Sequence, residues 1–302
     1  MRRWWAVVLV LAALGVLLPA ALLARAQTDA VRVVATTAGE TEVVSLHYGG
    51  RIRSYRLYIP AGLGPNRHEL LIGLHWLNGT AAAFEAKSRL DGGALRNNAV
   101  IAYPQGVGHS WDAGTCCGYA TRHHLDDVGF ALAVVADVQR RVRIDPQRIA
   151  VTGFSNGGLL SYRLVCERPD VFRVAVSVAG DAVGPRCTPS RPVSVLHVHG
   201  ARDVLIPIAG VKSSDLDPAG FPSAASSAQR IAVADRCAGA TTASGPQLVE
   251  WSARGCRGDA QVQLITVRNL GHRYPDGLVG SRNYGIDMTT LTWSFLRSAW
   301  PH

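Results

Sequence analysis

Six short segments rich in Val, Ile, Leu and Ala constrain the fold of this chain more than any other feature. Continuous apolar runs of this kind are typical of strands that are buried on both faces of a parallel sheet. An alternating segment, 54–60, predicts one further strand. The six segments are LLIGLHW (70–76), AVIAYPQG (99–106), RIAVTGF (148–154), RVAVSVAG (173–180), VSVLHVHG (193–200) and VQLITVRN (262–269).

Helical patterns lie between these predicted strands. Strands that alternate with helices indicate a doubly wound α/β fold, with a mostly parallel central sheet and helices on both faces. The helical patterns cover residues 126–142, 156–168, 223–237 and 287–299.

The first 26 residues have the composition of a secretory signal. A basic start precedes a nearly continuous apolar run from Trp4 to Leu23, and Ala24-Arg25-Ala26 has the small-x-small form of a cleavage site. We predict a signal peptide over residues 1–26, one domain over residues 27–302, and a secreted or periplasmic protein. The alternative is an uncleaved anchor, because the apolar run is almost long enough to span a bilayer. No later segment could do so, and no membrane association is expected after cleavage.

The positive charge of the chain does not indicate nucleic-acid binding. The formal net charge is +9, and removing the signal, with its three arginines and no acids, leaves +6. The remaining arginines are scattered, whereas a nucleic-acid-binding protein concentrates its basic residues on one face. We therefore expect no nucleic-acid partner.

Six cysteines in an exported chain indicate disulfides. Cys237 and Cys256 flank a stretch rich in Gly, Ser and Thr, and we expect them to close it as a loop. Cys116 and Cys117 are adjacent, so we expect each to pair elsewhere rather than with the other. The available partners are Cys166 and Cys187. The CxxC or His/Cys spacings typical of zinc sites are absent from the sequence, so no metal is predicted.

The segment Gly153-Phe154-Ser155-Asn156-Gly157 has the form G-x-S-x-G and joins a predicted strand to a predicted helix. In a nucleophile elbow, such a turn holds a strained serine above the edge of the sheet. The glycines are needed because a Cβ there would collide with the neighbouring backbone. The alternative is that Ser155 only caps the helix, since serine is a favoured N-cap residue.

A nucleophilic serine needs a base and an acid, and both should follow later strands. Catalytic groups in open α/β sheets lie at the carboxyl ends of strands. Asp203 follows the strand at 193–200 and His272 follows the strand at 262–269, which gives the Ser…Asp…His order of α/β-hydrolases. His272 would remove the serine proton, and Asp203 would hold the imidazole in the correct tautomer.

Other residues could fill these two roles. Asp181 is the main rival acid because it follows the strand at 173–180. We favour Asp203 because one whole strand–helix unit then separates the acid from Ser155. The remaining candidate bases fit a strand end less well, since they lie in a polar loop or inside a strand: His123, His124, His197 and His199.

Two backbone N–H groups should stabilise the oxyanion of the transition state. The first is predicted at Asn156, at the positive end of the helix after the nucleophile. The second is predicted in the loop after the strand at 70–76, where either Trp76 or Leu77 could supply its amide.

A series of motifs in this chain occurs in one order along residues 54–275. They are SYRLYIP, LHWLNGT, SWDAGTCCGYA, DDVGF, DPQRIAVTGFSNGG, HVHGARDVLIP and LGHRYP. In these motifs the chain resembles secreted esterases of the polyhydroxybutyrate depolymerase and feruloyl esterase group, in carbohydrate esterase family one. The resemblance implies an α/β-hydrolase catalytic domain. The connections after Ser155 are short, the longest being Pro207 to Pro222, so we expect no large lid. The resemblance also implies a triad of Ser155, Asp203 and His272 that hydrolyses a free or polymeric carboxylic ester through an acyl-enzyme, with no cofactor and no metal.

The sequence departs from that family at the rim of the expected cleft. Trp76 replaces a small residue and would either narrow the acyl pocket or shift the second oxyanion donor, and Tyr274 stands where a tryptophan is commoner. Trp111 could contact an aromatic acyl group or a polyester, or it could be a packing residue, as most tryptophans are. We favour packing for Trp111 and helix capping for Asp126 and Asp127.

Two other functions are compatible with the same fold. A peptidase or amidase of the prolyl oligopeptidase type uses the same triad order, but it usually carries a large extra domain for which 302 residues leave no room. A non-catalytic binding protein would have lost a triad residue, and here all three are present.

Overall fold

A computed structural model of the protein describes residues 39–184, 187–276 and 284–300. The predicted signal peptide over residues 1–26 lies outside these ranges. The described residues form one sheet of ten strands in the order β1-β2-β4-β3-β5-β6-β7-β10-β9-β8. The strands are β1 (Thr41–Tyr48), β2 (Arg51–Tyr58), β3 (His68–Leu74), β4 (Ala99–Pro104), β5 (Ile144–Phe154), β6 (Val174–Val178), β7 (Ser194–Gly200), β8 (Gly239–Ser244), β9 (Leu248–Arg254) and β10 (Val262–Val267).

Helices cover both faces of this sheet, as the sequence predicts. Successive side chains of a strand point to opposite faces. Leu70 and Ile72 of β3 therefore join one apolar cluster with α4, α5 and α6, whereas Leu71 joins a second cluster with α1, α2 and α7. The helices are α1 (Ala81–Ser88), α2 (Asp91–Ala94), α3 (Gly118–Arg122), α4 (Asp127–Arg141), α5 (Asn156–Glu167), α6 (Ala224–Ala234) and α7 (Met288–Ala299).

The six central strands, which are β4, β3, β5, β6, β7 and β10 in sheet order, are parallel to one another. This confirms the predicted α/β class. Each of the six apolar segments overlaps a strand, although β3 and β5 begin before the predicted segments, and each of the four helical patterns contains a helix. Antiparallel strands extend the sheet at its two ends, where β1 pairs with β2 and β8 pairs with β9. The strands β1, β8 and β9 were not predicted from the sequence patterns.

The described residues contain no helical lid over the carboxyl edge of the sheet. The connection from β7 to α6 consists of turns that are closed by one isolated bridge, between Val211 and Phe221. Within the described ranges, every helix is too short or too polar to cross a membrane.

The disulfide pairing is partly as predicted and partly different. Cys237 pairs with Cys256, and the segment between them is an antiparallel hairpin of β8 and β9 rather than a loop. The expectation for the adjacent cysteines was wrong, because Cys116 pairs with Cys117. Both of these cysteines are buried in a turn in which the Cys117 N–H donates to the Trp111 carbonyl and the Ala113 N–H donates to the Cys116 carbonyl. The third disulfide joins Cys166 to Cys187.

We expect the double substitution Cys237→Ser and Cys256→Ser to lower the free energy of unfolding by roughly 3 kcal/mol, because the bridge closes a loop of about 20 residues in the unfolded chain. Urea unfolding of the wild type and the double variant would measure this difference. The turnover of a soluble ester should not change, because β8 is an exposed edge strand. An unchanged unfolding midpoint would contradict the prediction.

Candidate active site

Ser155 occupies the sharp turn between β5 and α5. Its backbone is in a conformation that is rare for a residue with a side chain, with φ 56° and ψ −120°. The Ser155 N–H donates to the carbonyl of Val178, at 2.8 Å, so the turn is tied to the end of the neighbouring strand β6. Ser155 precedes the first helical residue, but its side chain makes no capping hydrogen bond. The structure therefore favours the elbow over the simple helix cap.

The two glycines of the motif let helix and sheet approach closely. A Cβ on Gly153 would lie 2.3 Å from the carbonyl of Gly157, and a Cβ on Gly157 would lie 2.2 Å from the carbonyl oxygen of Leu74. Both separations are shorter than any real contact of a Cβ with a backbone atom. The tight turn thus depends on the absence of side chains at these two positions.

The structure brings Ser155, His272 and Asp203 into one hydrogen-bonded chain. His272 Nε2 lies 2.8 Å from Ser155 Oγ, and His272 Nδ1 lies 2.7 Å from Asp203 Oδ2. A carboxylate only accepts hydrogen bonds, so Nδ1 carries the proton and Nε2 is left to accept from the serine hydroxyl. This is the arrangement in which an imidazole can act as a base toward a serine.

Asp203 is held ionised and in a fixed orientation. Its Oδ1 accepts N–H bonds from Leu205 and Ile206, both at 2.9 Å. Burial by itself would raise the pKa of Asp203, but the neighbouring His199 side chain and the hydrogen bonds from His272 and the Ile206 amide outweigh burial and hold the pKa well below its usual range. The carboxylate therefore stays charged and aimed at the His272 ring.

The rival acid Asp181 does not reach His272. It is fully buried at the end of β6, and its Oδ1 lies 3.7 Å from His197 Nε2 and 3.9 Å from His199 Nδ1. Burial raises the pKa of Asp181 to about 7. Neither carboxyl oxygen has a hydrogen-bond partner among the described residues.

His75 orients the loop that carries the second predicted oxyanion donor. Its Nε2 accepts the Gly106 N–H at 3.0 Å, so its Nδ1 must carry the proton that is donated to the Trp76 carbonyl at 2.8 Å. Burial lowers the pKa of His75 to about 4, which keeps the ring neutral. Because the C=O and N–H of a trans peptide point in opposite directions, the Leu77 N–H points away from His75.

Trp111 is buried against the backbone of the His75 loop and does not line the cleft. Its side chain is 1% exposed, and its indole N–H donates to the His75 carbonyl at 2.8 Å. The Asn156 side chain accepts the Trp111 N–H and donates back to the Trp111 carbonyl. The structure thus favours the packing role over substrate contact. Neither the Asn156 side-chain bridge nor the role of His75 was predicted.

Asp126 and Asp127 have structural roles. Asp126 caps α4 by accepting the Gly129 N–H at 2.8 Å, as predicted. The prediction of capping was wrong for Asp127, which is the first residue of α4, is fully buried, pairs with Arg53 at 2.7 Å and accepts the Asp112 N–H. It therefore fixes the loop that carries Trp111.

An open, largely aromatic cavity of about 360 Å³ lies beside His272. Phe154 forms its inner wall, with its ring 5.2 Å from the His272 ring and edge-on to Tyr274. Trp76 packs edge-on against the same phenylalanine. The residues that line the cavity are Lys87, Phe154, His272, Arg273, Tyr274, Asp276 and Tyr284.

Comparisons of sequence place the chain among esterases. It is 31% identical over 263 residues to NocK of Nocardia uniformis subsp. tsuyamanensis, a protein named as an esterase. The alignment covers 80% of this chain and 75% of NocK. It is 30% identical over 233 residues to feruloyl esterase B of Piromyces equi, covering 73% of this chain but only 42% of that relative. The prolyl oligopeptidase family (Peptidase_S9) matches residues 115–183.

Comparisons of structure show the same fold. The acetyl xylan esterase from Aspergillus awamori matches 85% of this chain and 100% of its own, with a TM-score of 0.57 and 15% identity. A ferulic acid esterase matches 86% of this chain and 97% of its own, with a TM-score of 0.52 and 12% identity. Fold and sequence together define a carboxylic ester hydrolase. The chain belongs to the α/β-hydrolase esterase family.

We expect Asp181→Asn to stabilise the protein at pH 8 but not at pH 4. The pKa of Asp181 is about 7 in the folded protein, against about 4 in an unfolded chain. As the pH rises through this window, the unfolded state loses its proton first and is favoured. Asparagine removes this effect, and thermal melts should show Tm raised by about 5 °C at pH 8 only. An equal change in Tm at both pH values would contradict the prediction.

Proposed function

We propose that this protein is an exported serine esterase in which Ser155 is the nucleophile, His272 the general base and acid, and Asp203 the orienting carboxylate. The observation that carries the proposal is the pair of hydrogen bonds linking the three side chains, at 2.8 and 2.7 Å, on a serine with positive φ. Export is supported by the signal-like residues 1–26 and by three disulfides, which persist in oxidising compartments.

Acylation would begin when Ser155 Oγ attacks the ester carbonyl carbon while its proton passes to His272 Nε2. The carbonyl oxygen becomes an oxyanion, which the Asn156 N–H and the N–H of Trp76 or Leu77 would stabilise. The buried charge of Asp203 stabilises the imidazolium that forms. The bond to the alcohol oxygen then breaks, His272 returns its proton to that oxygen, and the acyl group stays on Ser155.

Deacylation repeats the same steps with water. A water molecule gives its proton to His272 Nε2 as its oxygen attacks the acyl carbon. The bond to Ser155 Oγ then breaks, the serine takes the proton from His272, and the carboxylic acid leaves. No group beyond these side chains and amides is needed to balance the reaction.

The cavity beside His272 favours an aromatic acyl group. Phe154, Tyr274 and Tyr284 offer ring faces and edges, against which another ring packs better than a flexible chain does. Lys87 pairs with Asp276 at 2.6 Å, so Arg273 supplies the net positive charge of the cavity lining. The names of the feruloyl esterase relatives agree with this substrate class. We therefore favour hydroxycinnamoyl esters over hydroxybutyrate esters.

The rim of the cleft also suits an ester that is attached to a polymer. Val204 and Leu205 follow Asp203 directly and are 84% and 50% exposed. No helix in the described residues covers them. An open rim with apolar side chains can contact a bulky chain without having to close around it.

We expect Ser155→Ala to lower kcat by about 10⁴–10⁶, because triad members act as a unit. Asp203→Asn should lower kcat by about 10⁴ through the wrong imidazole tautomer, whereas Asp181→Asn should stay within about twofold at pH 7. Hydrolysis of p-nitrophenyl butyrate measures all three variants, and thermal melts show that each is folded. Substantial turnover by Ser155→Ala would reject the nucleophile. Equal losses in the two aspartate variants would leave the acid unassigned.

We expect activity to peak at short acyl chains and to fall beyond about six carbons, because an open cleft leaves the further methylenes in water and gains none of the ~0.8 kcal/mol each would contribute if buried. A p-nitrophenyl series from acetyl to palmitoyl measures this. Methyl ferulate, a feruloylated oligosaccharide and hydroxybutyrate oligomers should be assayed in parallel. A preference for palmitoyl esters would contradict the open cleft. A preference for hydroxybutyrate oligomers would contradict the aromatic acyl group.

A further inference from the structure

A fully buried polar chain lies directly behind Asp203 and is not used in the mechanism above. Tyr162 on α5, together with His197 and His199 on β7, is at most 1% exposed. Because side chains two apart on a strand share a face, the His-x-His pair points toward the same space. The Tyr162 hydroxyl lies 3.0 Å from His197 Nδ1, and His197 Nε2 lies 3.0 Å from His199 Nδ1.

The hydrogen bond at the His199 end of this Tyr162–His197–His199 chain fixes the donor and acceptor in each of the other hydrogen bonds. His199 Nε2 lies 2.8 Å from the Ile206 carbonyl oxygen, which can only accept, so Nε2 must carry a proton. In neutral His199 the other nitrogen, Nδ1, then accepts from His197 Nε2–H. His197 Nδ1 accepts in turn from the Tyr162 hydroxyl. In each of these three hydrogen bonds, a donor therefore meets an acceptor.

Protonation of neutral His199 would not change the state of Nε2, the His199 nitrogen nearest to Asp203. Burial lowers the pKa of His199, but Asp203, Asp181 and the Ile206 carbonyl together raise it above its ordinary value. Burial drives the pKa of His197 well below its ordinary value. A further proton would therefore go to His199 Nδ1 and reverse the bonds to His197 and Tyr162. In both states His199 Nε2 keeps its N–H.

That N–H donates to the carbonyl of Ile206, whose own N–H donates to Asp203 Oδ1, and the same His199 nitrogen lies beside the carboxylate oxygen that binds His272. His199 Nε2 lies 3.5 Å from Asp203 Oδ2, the atom that accepts from His272 Nδ1 at 2.7 Å. We propose that His199 is a positioning residue for Asp203, held as a permanent Nε2–H donor by the buried Tyr162–His197 chain. The proposal rests on the catalytic triad proposed above.

A metal ion is the competing explanation for this cluster. Asp181, His197 and His199 offer three ligand atoms within 4.8 Å of one another. However, the two imidazole nitrogens that would face an ion already bond to each other. The nearby Ser227 hydroxyl lowers the pKa of Asp181 slightly, but its proton goes to the Ser223 carbonyl at 3.0 Å. The raised pKa of Asp181 agrees with a carboxyl group that needs no cation.

The test compares His199→Gln with His199→Asn. Both side chains are neutral amides, but only that of glutamine reaches the position of Nε2 and can donate toward Asp203 and Ile206. We expect His199→Asn to lower kcat for p-nitrophenyl butyrate by about 10–100-fold, because it removes both the hydrogen bond to the Ile206 carbonyl and a polar contact with the charged Asp203, with little change in KM. His199→Gln should stay within about fivefold of the wild type. Thermal melts check the folding of both variants.

A second measurement separates positioning from a general structural role. If His199 acts through Asp203, then His199→Asn should cost little further activity in a protein that already carries Asp203→Asn. Equal loss in the two amide variants, or a full loss on the Asp203→Asn background, would overturn the proposal. One equivalent of bound divalent metal in the wild type, absent from Asp181→Asn, would also overturn it. Activity that survives Ser155→Ala would instead reject the triad itself.

Discussion

The close contact of α5 with the sheet is the constraint on which the rest of the site depends. At Gly153 and Gly157 the helix and strand backbones lie closer than any side chain would allow. That contact forces the chain to turn within one residue, and Ser155 takes the positive φ that results. The same contact places Gly157 against the carbonyls of Leu74 and His75, so the serine turn and the loop that carries the second predicted oxyanion donor are fixed relative to each other. One steric requirement therefore sets two parts of the site.

The central layer of the fold could be predicted because its strands are buried on both faces. Burial on both faces demands continuous apolar residues, and the parallel strands from β3 to β7 carry them. The edge strand β8, GATTAS, is exposed along its whole length and has no apolar pattern to detect. Its partner β9 is only partly buried. Such strands are defined by hydrogen bonds between backbones, and these leave little side-chain pattern in the sequence.

The strand-end positions of Ser155, Asp203 and His272 could be read from the sequence because topology alone brings them to one edge of the sheet. Their roles remain predictions. The supporting residues could not be found in this way, since their roles depend on partners from distant segments. His75 is a donor to Trp76 only because Gly106, 31 residues later, supplies an N–H to its other nitrogen. The Cys116–Cys117 bridge was missed because adjacency was taken to exclude pairing.

The two strand-end carboxyl groups show why position alone could not assign the acid. Asp181 and Asp203 follow neighbouring strands of the same sheet, and both are buried. Burial disfavours the charged form of each, but Asp203 receives two backbone N–H bonds and the N–H of His272, whereas Asp181 receives none from the described residues. The pKa of Asp203 therefore falls while that of Asp181 rises to about 7. Only a carboxylate that stays ionised can stabilise an imidazolium, so the donors around each aspartate, rather than its place in the chain, support the proposal that Asp203 has that role.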